Sequence, residues 1–308
     1  MNISIFLQNR PHFGTTIIHV PLIYSLQSYY PQANIFLFSK NESTNMLTEI
    51  LNIKNVFVNT NRFVEIYQYT KINSDITISL RKNSSFLSLM ISLLNRKEKY
   101  GLNNKITSLF FTKTSQYQDI QYRACNFLNL LPKKIPKQYF TLPKKNHLTI
   151  IPAGEYLFKH WKIENYLELA DMLHVRYPEY HIFFLLGQRE KKYIPIINNH
   201  SSTYKTYLSL DLPSLINIIQ SSQLVIANDC GPAHIAQISD VANLILYSNQ
   251  KSSAIATAGE WFRKKANSSY IIGENLKSID SISVKEVYAL AIKSLTNNFT
   301  HNIYQGHI

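Results

Sequence analysis

Short apolar runs alternate with longer amphipathic stretches along the whole chain. In the first half, Ile3–Leu7, Asn34–Phe38, Asn55–Val58 and Asp75–Leu80 are compact apolar runs bounded by polar residues, and they predict strands. Between them, Thr16–Tyr29, Ser43–Leu51 and Phe86–Arg96 space their apolar residues as helices do. The second half repeats the pattern. Strands are predicted at Leu148–Pro152, His181–Leu186, Lys205–Tyr207, Leu224–Ala227 and Asn243–Tyr247. Helices are predicted at Ile163–Arg176, Glu190–Ile197, Leu212–Gln220 and Pro232–Ile238, with a terminal helix over Val284–Leu295. Strands that alternate with helices build parallel sheets covered on both faces, and two such series predict two α/β domains of doubly wound type.

The break falls where Pro132, Pro136 and Pro143 interleave with Lys133, Lys134, Lys137, Lys144 and Lys145. Proline and charge together mark a linker. We therefore expect a first domain over residues 1–145 and a second over 146–308, the last helix having room to pack back on the first. The first residues, Met1–Phe6, lack a basic leader region and a cleavage site, so no signal peptide is expected. The longest apolar stretch, Phe86–Leu94, is too short to cross a bilayer.

Composition changes the picture in three places. Glycine is scarce, with 8 in 308 residues, so each is expected where backbone geometry demands it. The two cysteines, Cys125 and Cys230, form neither a disulfide framework nor a metal motif, and fit a reducing cytosol. The net charge of +13 is unevenly spread: residues 1–147 hold 18 Lys and Arg against 6 Asp and Glu, a net +12. A basic half can be a well-solvated surface, or it can meet nucleic acid, anionic lipid or a phosphorylated substrate. The chain has no zinc-finger spacing and no RNA-binding signature, which disfavours nucleic acid.

The richest segment is Asn228-Asp229-Cys230-Gly231-Pro232-Ala233-His234, set between a predicted strand and a predicted helix. It places an acid, bare backbone N–H groups and an imidazole at a strand's carboxyl end, where open α/β sheets bind ligands and where helix N-termini favour phosphate. Read blandly, Asp229 is a helix cap and His234 a packed histidine. Its position after a buried strand favours the ligand reading. Three further loops follow predicted strands. Pro152-Ala153-Gly154, with Lys159 and Trp161 beyond, offers close backbone approach and a point charge for a diphosphate, or an ordinary loop with a surface lysine. Gly187-Gln188-Arg189-Glu190 offers an acceptor for a ribose or an adenine amine, or an acid at a helix start. Arg10-Pro11-His12-Phe13-Gly14-Thr15 is the first such loop. Residues 1–41 contain no Asp or Glu, so a general base there is an imidazole, His12 or His19, with His19 the more structural of the two. No phosphate-binding loop with Gly-Lys-Ser/Thr, no Gly-x-Gly-x-x-Gly run and no Gly-x-Ser-x-Gly elbow occurs, and no metal-ligand spacing stands out.

Together these residues resemble glycosyltransferase family 9, the heptosyltransferase-like enzymes. The resemblance rests on Pro152-Ala153-Gly154 with Lys159-x-Trp161, on Leu185-Leu186-Gly187 with Glu190, and above all on Asn228–His234, similar to the family's Asp-Ser/Thr-Gly-x-x-His signature. Weaker echoes run through Gly14–Pro21, Tyr30–Ile35 and Ser74–Ile78. The resemblance implies a GT-B-like fold, two Rossmann-like domains with parallel sheets facing a central cleft. It implies an inverting, metal-independent transferase moving a sugar, typically heptose from ADP-heptose, onto a lipopolysaccharide or lipooligosaccharide core or a related surface glycan. Donor contacts would fall to Gly154, Lys159, Glu190, Asp229, Cys230, Gly231 and His234. No cofactor is implied, the ADP-linked sugar being a substrate. The basic first half would meet an anionic glycolipid at the inner face of the cytoplasmic membrane, from a cytoplasmic protein with no nucleic-acid partner.

One departure matters. The family's first loop carries Gly-Asp, whose carboxylate is the proposed base, and here the aligned pair is Gly14-Thr15. A threonine hydroxyl is no base near neutral pH. The base is then His12, a carboxylate from elsewhere such as Asp75, or absent from a chain that only binds a nucleotide sugar or glycan.

Overall fold

The computed structural model describes residues 1–140, 142–154, 160–249, 258–276, 279 and 281–305. The chain forms two compact units, Met1–Tyr139 and Phe140–Ile308, which meet inside the proline- and lysine-rich stretch.

In the first unit six strands form one parallel sheet: β1 (Asn2–Phe6), β2 (Asn34–Ser39), β3 (Asn55–Val58), β4 (Ile76–Ser79), β5 (Glu98–Leu102) and β6 (Lys113–Ser115). Their order is β3-β2-β1-β4-β5-β6. In the second, β7 (His147–Ile151), β8 (His181–Leu186), β9 (Lys205–Leu208), β10 (Leu224–Asn228), β11 (Ala242–Asn249) and β12 (Ser268–Leu276) stand in the order β12-β11-β10-β7-β8-β9. Each sheet thus reads 3-2-1-4-5-6 within its own unit, the doubly wound Rossmann order. The order reverses between β1 and β4, and between β7 and β10, and loops leaving the carboxyl ends there diverge to opposite faces and leave a crevice.

The strands read as continuous apolar runs because both faces are covered. Every residue of β7 and β10 is buried. In the first unit Phe6 stacks on Phe38 at 4.6 Å between ring centroids, with Tyr69 edge-on to Phe6 at 5.2 Å. In the second, Trp161 packs edge-on against Tyr166 at 4.9 Å. The C-terminal helix, Val284–Gln305, lays Val287, Ala291 and Leu295 into this same second core, a stripe at i, i+4 and i+8.

Two predicted helices are divided. Thr16–Tyr29 is in fact Phe13–Ile17 followed by Val20–Tyr29, with Pro21 in the first turn of the second piece. A proline has no N–H and its ring meets the carbonyl four residues back, here that of Ile17, so one continuous helix is barred. Likewise Glu190–Ile197 is a 3-10 segment, Gln188–Tyr193, leading into the helix Ile194–His200 with Pro195 in its first turn. Among the described residues no helix is long and apolar enough to cross a membrane.

Candidate functional site

The second sheet turns at β7 and β10, which run side by side with Ala227 opposite Ile151. The loops that leave their carboxyl ends are those carrying Gly154 and Asp229. Sequence reasoning put both in one site, and the strand order makes them neighbours on one rim. Lys159 lies outside the described residues.

Beneath the rim Asn228 is fully buried and accepts a 2.5 Å hydrogen bond from the Tyr166 hydroxyl at Oδ1. Burial of Tyr166 holds its phenol well above the usual value, so the hydroxyl remains a donor. The Asp229 N–H donates to the Leu246 carbonyl of the neighbouring strand, extending the ladder one residue past β10. The backbone then turns. Cys230 is extended, at φ −140° and ψ 166°, and the helix Gly231–Gln237 begins with Pro232 in its first turn, where a missing N–H is no loss. Asp229, Cys230 and Gly231 are half-buried at this turn, and Cys230 is a free thiol.

His234 follows one turn later, 5% exposed. Its ring centroid lies 5.8 Å from that of Trp261. Its tautomer follows from its neighbours. Gln237 Oε1 accepts from the Arg263 backbone N–H at 2.8 Å, which fixes the orientation of the amide. The amide nitrogen therefore faces His234 Nδ1, at 3.3 Å, and donates to it. Nδ1 carries no proton, and the neutral ring bears its hydrogen on Nε2, as a donor toward an anion requires. Three and four residues apart on a helix is the spacing at which such side chains meet. The Arg263 guanidinium donates to the Gln237 carbonyl at 3.0 Å and holds the pair from below.

Gly154 is anchored by His160, whose Nε2 lies 2.9 Å from the Gly154 carbonyl and donates to it. Glu190 stands after β8, next to β7, but the residue is 3% exposed and its carboxylate turns back to accept the Gly187 N–H at 3.1 Å. It caps its own 3-10 segment. A Cβ on Gly187 would meet Glu190 Oε2 at 2.8 Å, so a side chain there would displace the capping carboxylate.

In the first unit, the loop after β1 holds His12 on the surface, at the start of the helix Phe13–Ile17. Thr15 is 4% exposed, and its hydroxyl donates at 2.6 Å to the His12 carbonyl. His19 is buried and stacked on Phe127 at 5.2 Å. It accepts the Gln8 N–H at Nε2 and donates from Nδ1 to the Thr16 carbonyl. Burial lowers its pKa to about 4, with the Arg123 charge adding to the effect. It is a structural imidazole. Asp75 must be corrected as a candidate base. It precedes β4, so it lies at the amino edge of the sheet, accepting the Asn2 N–H at 2.8 Å and pairing with Lys97 at 2.7 Å. The strand itself separates it from the His12 loop at the carboxyl edge.

Sequence reasoning missed the residue that organises that edge. Arg81, just past β4, is 8% exposed. It donates to both carboxylate oxygens of buried Glu65, at 2.5 and 2.7 Å, and to the carbonyls of Leu7 and Phe38 at 2.9 and 3.3 Å. One guanidinium thereby ties together the carboxyl ends of β1, β2 and β4. The only available signal was an arginine directly after an apolar strand.

Two tandem sheets of this winding give the chain a fold of the GT-B type. The sequence model of glycosyltransferase family 9 (heptosyltransferase) matches residues 70–277, and the chain belongs to this family. Solved structures share the fold at low identity. E. coli heptosyltransferase WaaC with ADP is 14% identical, with a TM-score of 0.69 over 96% of this chain and 100% of that one. A family 9 glycosyltransferase from Veillonella parvula is 17% identical, with a TM-score of 0.66 over 96% and 97%. E. coli ADP-heptose heptosyltransferase II is 15% identical, with a TM-score of 0.65 over 97% and 100%. No curated protein sequence matches the chain.

Proposed function

We propose that this glycosyltransferase moves heptose from ADP-heptose onto the core of a lipopolysaccharide or related glycolipid, working at the inner face of the cytoplasmic membrane without a metal. The observation that carries the reading is the Asn228–His234 turn at the sheet's switch point, with a proton held on Nε2 of His234 by Gln237. Fold neighbours with ADP or an ADP-heptose analogue support an ADP-linked donor. In this reading the second domain takes the donor, with Gly154, Asp229, Cys230, Gly231 and His234 around it, while Glu190 braces the Gly187 turn beside them. The acceptor hydroxyl attacks the anomeric carbon, the bond from that carbon to the diphosphate breaks with inversion, and ADP leaves. His234 Nε2–H and the backbone N–H groups of the turn stabilise the charge that develops on the leaving oxygens. The hydroxyl proton passes to His12, the imidazole of the first loop.

Thermal melting with ADP, UDP, GDP and their sugars tests the donor assignment, because a ligand that binds only the folded state raises the melting temperature. ADP-linked ligands should raise it, and Asp229→Ala should abolish the rise. No rise with any nucleotide overturns the proposal. Thr15 favours a second reading, a binder without transferase activity, since its hydroxyl is spent on the His12 carbonyl and residues 1–41 contain no carboxylate. A nucleotide-induced rise with neither transfer to an acceptor nor donor hydrolysis would select that reading.

A further inference from the structure

Fifteen large apolar residues stand exposed among the described residues, and nine of them lie on three consecutive helices of the first unit. These are Phe63, Val64 and Tyr67 on the helix Arg62–Thr70, Phe86, Leu89, Leu93 and Leu94 on Ser85–Leu94, and Leu109 and Phe110 on Thr107–Phe110. Leu93 is 67% exposed and Leu109 74%. The helices are neighbours. Phe63 meets Phe86 edge-on at 6.1 Å, and the Arg62 guanidinium covers both rings at 5.0 and 4.9 Å. The inner faces of the first two share one core, where Ile66, Tyr69, Leu87 and Ile91 pack on Phe6 and Phe38, and the third helix adjoins the second. The apolar side chains outside that core therefore stand on adjoining helices and not as scattered single residues. Faces of this kind mark interaction surfaces.

Charge identifies the partner. The sole acid on the three helices is Glu65, and it is buried against Arg81. Exposed cations stand at both ends of this face: Arg62 and Lys105 toward the carboxyl edge of the sheet, Lys71 and Arg96 toward the amino edge. A cavity of about 480 Å³ between the ends of the first two helices is lined by Lys71, Arg96 and Lys97 beside Leu94. Leucine and aromatic side chains flanked by long basic ones, on helices that carry no exposed carboxylate, suit an interface of acyl chains and anionic headgroups. A protein partner would leave the cations needing matched acids, and a nucleic acid would leave the leucines in water.

We propose that this three-helix face docks on an anionic lipid bilayer, burying Phe63, Leu93, Leu109 and Phe110 among the headgroups while Arg62, Lys71, Arg96 and Lys105 engage lipid phosphates. The helices that carry Arg62 and Phe86 begin at the carboxyl edge that carries the His12 loop and run to the amino edge, so docking lays this side of the first sheet along the membrane surface. This deepens the glycolipid reading above, although its test needs neither donor nor acceptor.

The test is cosedimentation of the full chain with vesicles of equal parts phosphatidylglycerol and phosphatidylcholine, against phosphatidylcholine alone. The chain should pellet with the anionic vesicles, less so at high salt, and not with the neutral ones. The surface variants Leu93→Gln with Leu109→Gln, and Arg62→Ala with Lys105→Ala, should each lower the partition coefficient about tenfold or more, with the ADP-induced thermal rise unchanged. That retained rise separates loss of docking from loss of the donor site. Absence of binding to anionic vesicles, or binding unaltered in both variants, overturns the proposal. So does a dimer in size-exclusion chromatography that Leu93→Gln with Leu109→Gln dissolves, since a second copy would then cover the face.

Discussion

Gln237 sets the tautomer of His234. Its amide oxygen is committed to the Arg263 N–H, so its nitrogen must face the imidazole, and the imidazole must receive. Removing the amide in Gln237→Ala takes the donor from His234 Nδ1 and the acceptor from the Arg263 N–H, at a cost of about 1–3 kcal/mol in stability. Nitrogen-15 spectra should show His234 shifting from the Nε2–H form to a mixture of tautomers, with weaker ADP binding. Gln237→Glu should instead draw a proton onto Nδ1. An unchanged Nε2–H tautomer in both variants would remove Gln237 from the site.

Arg81 and Glu65 form a buried pair, and breaking such a pair by removing one partner costs about 3–5 kcal/mol because a charge is stranded. Glu65→Gln and Arg81→Met should each lower the unfolding midpoint of the first unit strongly. The double substitution Glu65→Leu with Arg81→Met should recover much of the loss. Calorimetry on the three variants reads this directly, and three equal losses would refute the account.

Much of this architecture was legible in the chain, and the exceptions have physical causes. Buried strands such as Leu224–Ala227 announce themselves because both faces are covered. Glu98–Leu102 and Lys113–Ser115 do not, because toward the sheet's edge lysines and a glutamate suffice. The helix Arg62–Thr70 carries Phe63, Val64 and Tyr67 outward, so its apolar residues do not describe one inner face, although Asn61 caps it by accepting the Phe63 N–H. Asp229 and His234 could be singled out because chain direction alone puts them past a strand. Gln237, Arg81 and the misplacement of Asp75 depend on which strands adjoin, which no local pattern states.

His12 is the imidazole available in the first loop after the structural role of His19 is recognised. His12→Ala should lower turnover by roughly 10²–10⁴-fold, the usual contribution of a positioned base, while the ADP-induced thermal rise persists. Thr15→Asp places a carboxylate in the same loop and should rescue part of that loss. Steady-state kinetics on the single and double variants decides the matter. Full activity in His12→Ala would exclude it as the base.

His19 makes the first unit acid-sensitive. Its folded pKa is about 4, below the ordinary 6.5, so the unfolded chain takes up a proton first. Its share of stability is complete above pH 6.5, falls as pH drops through that value, and is gone below about 4. The whole effect is on the order of 3 kcal/mol. Denaturant midpoints between pH 7 and pH 4 should fall less steeply for His19→Phe than for the parent chain. Parallel slopes would show that another group dominates the acid transition.

Both halves reverse their winding at the same relative strand, and each interior is closed on itself by its own phenylalanines, leucines and tyrosines. Specificity is thereby decoupled from stability. Residues such as His12 or Cys230 sit where the chain has left its strand, outside the sheet's hydrogen-bond ladder, and can be exchanged without disturbing a strand. A lineage built on this plan can acquire a new sugar or a new recipient by rewriting a few connecting residues, with the two frameworks inherited whole.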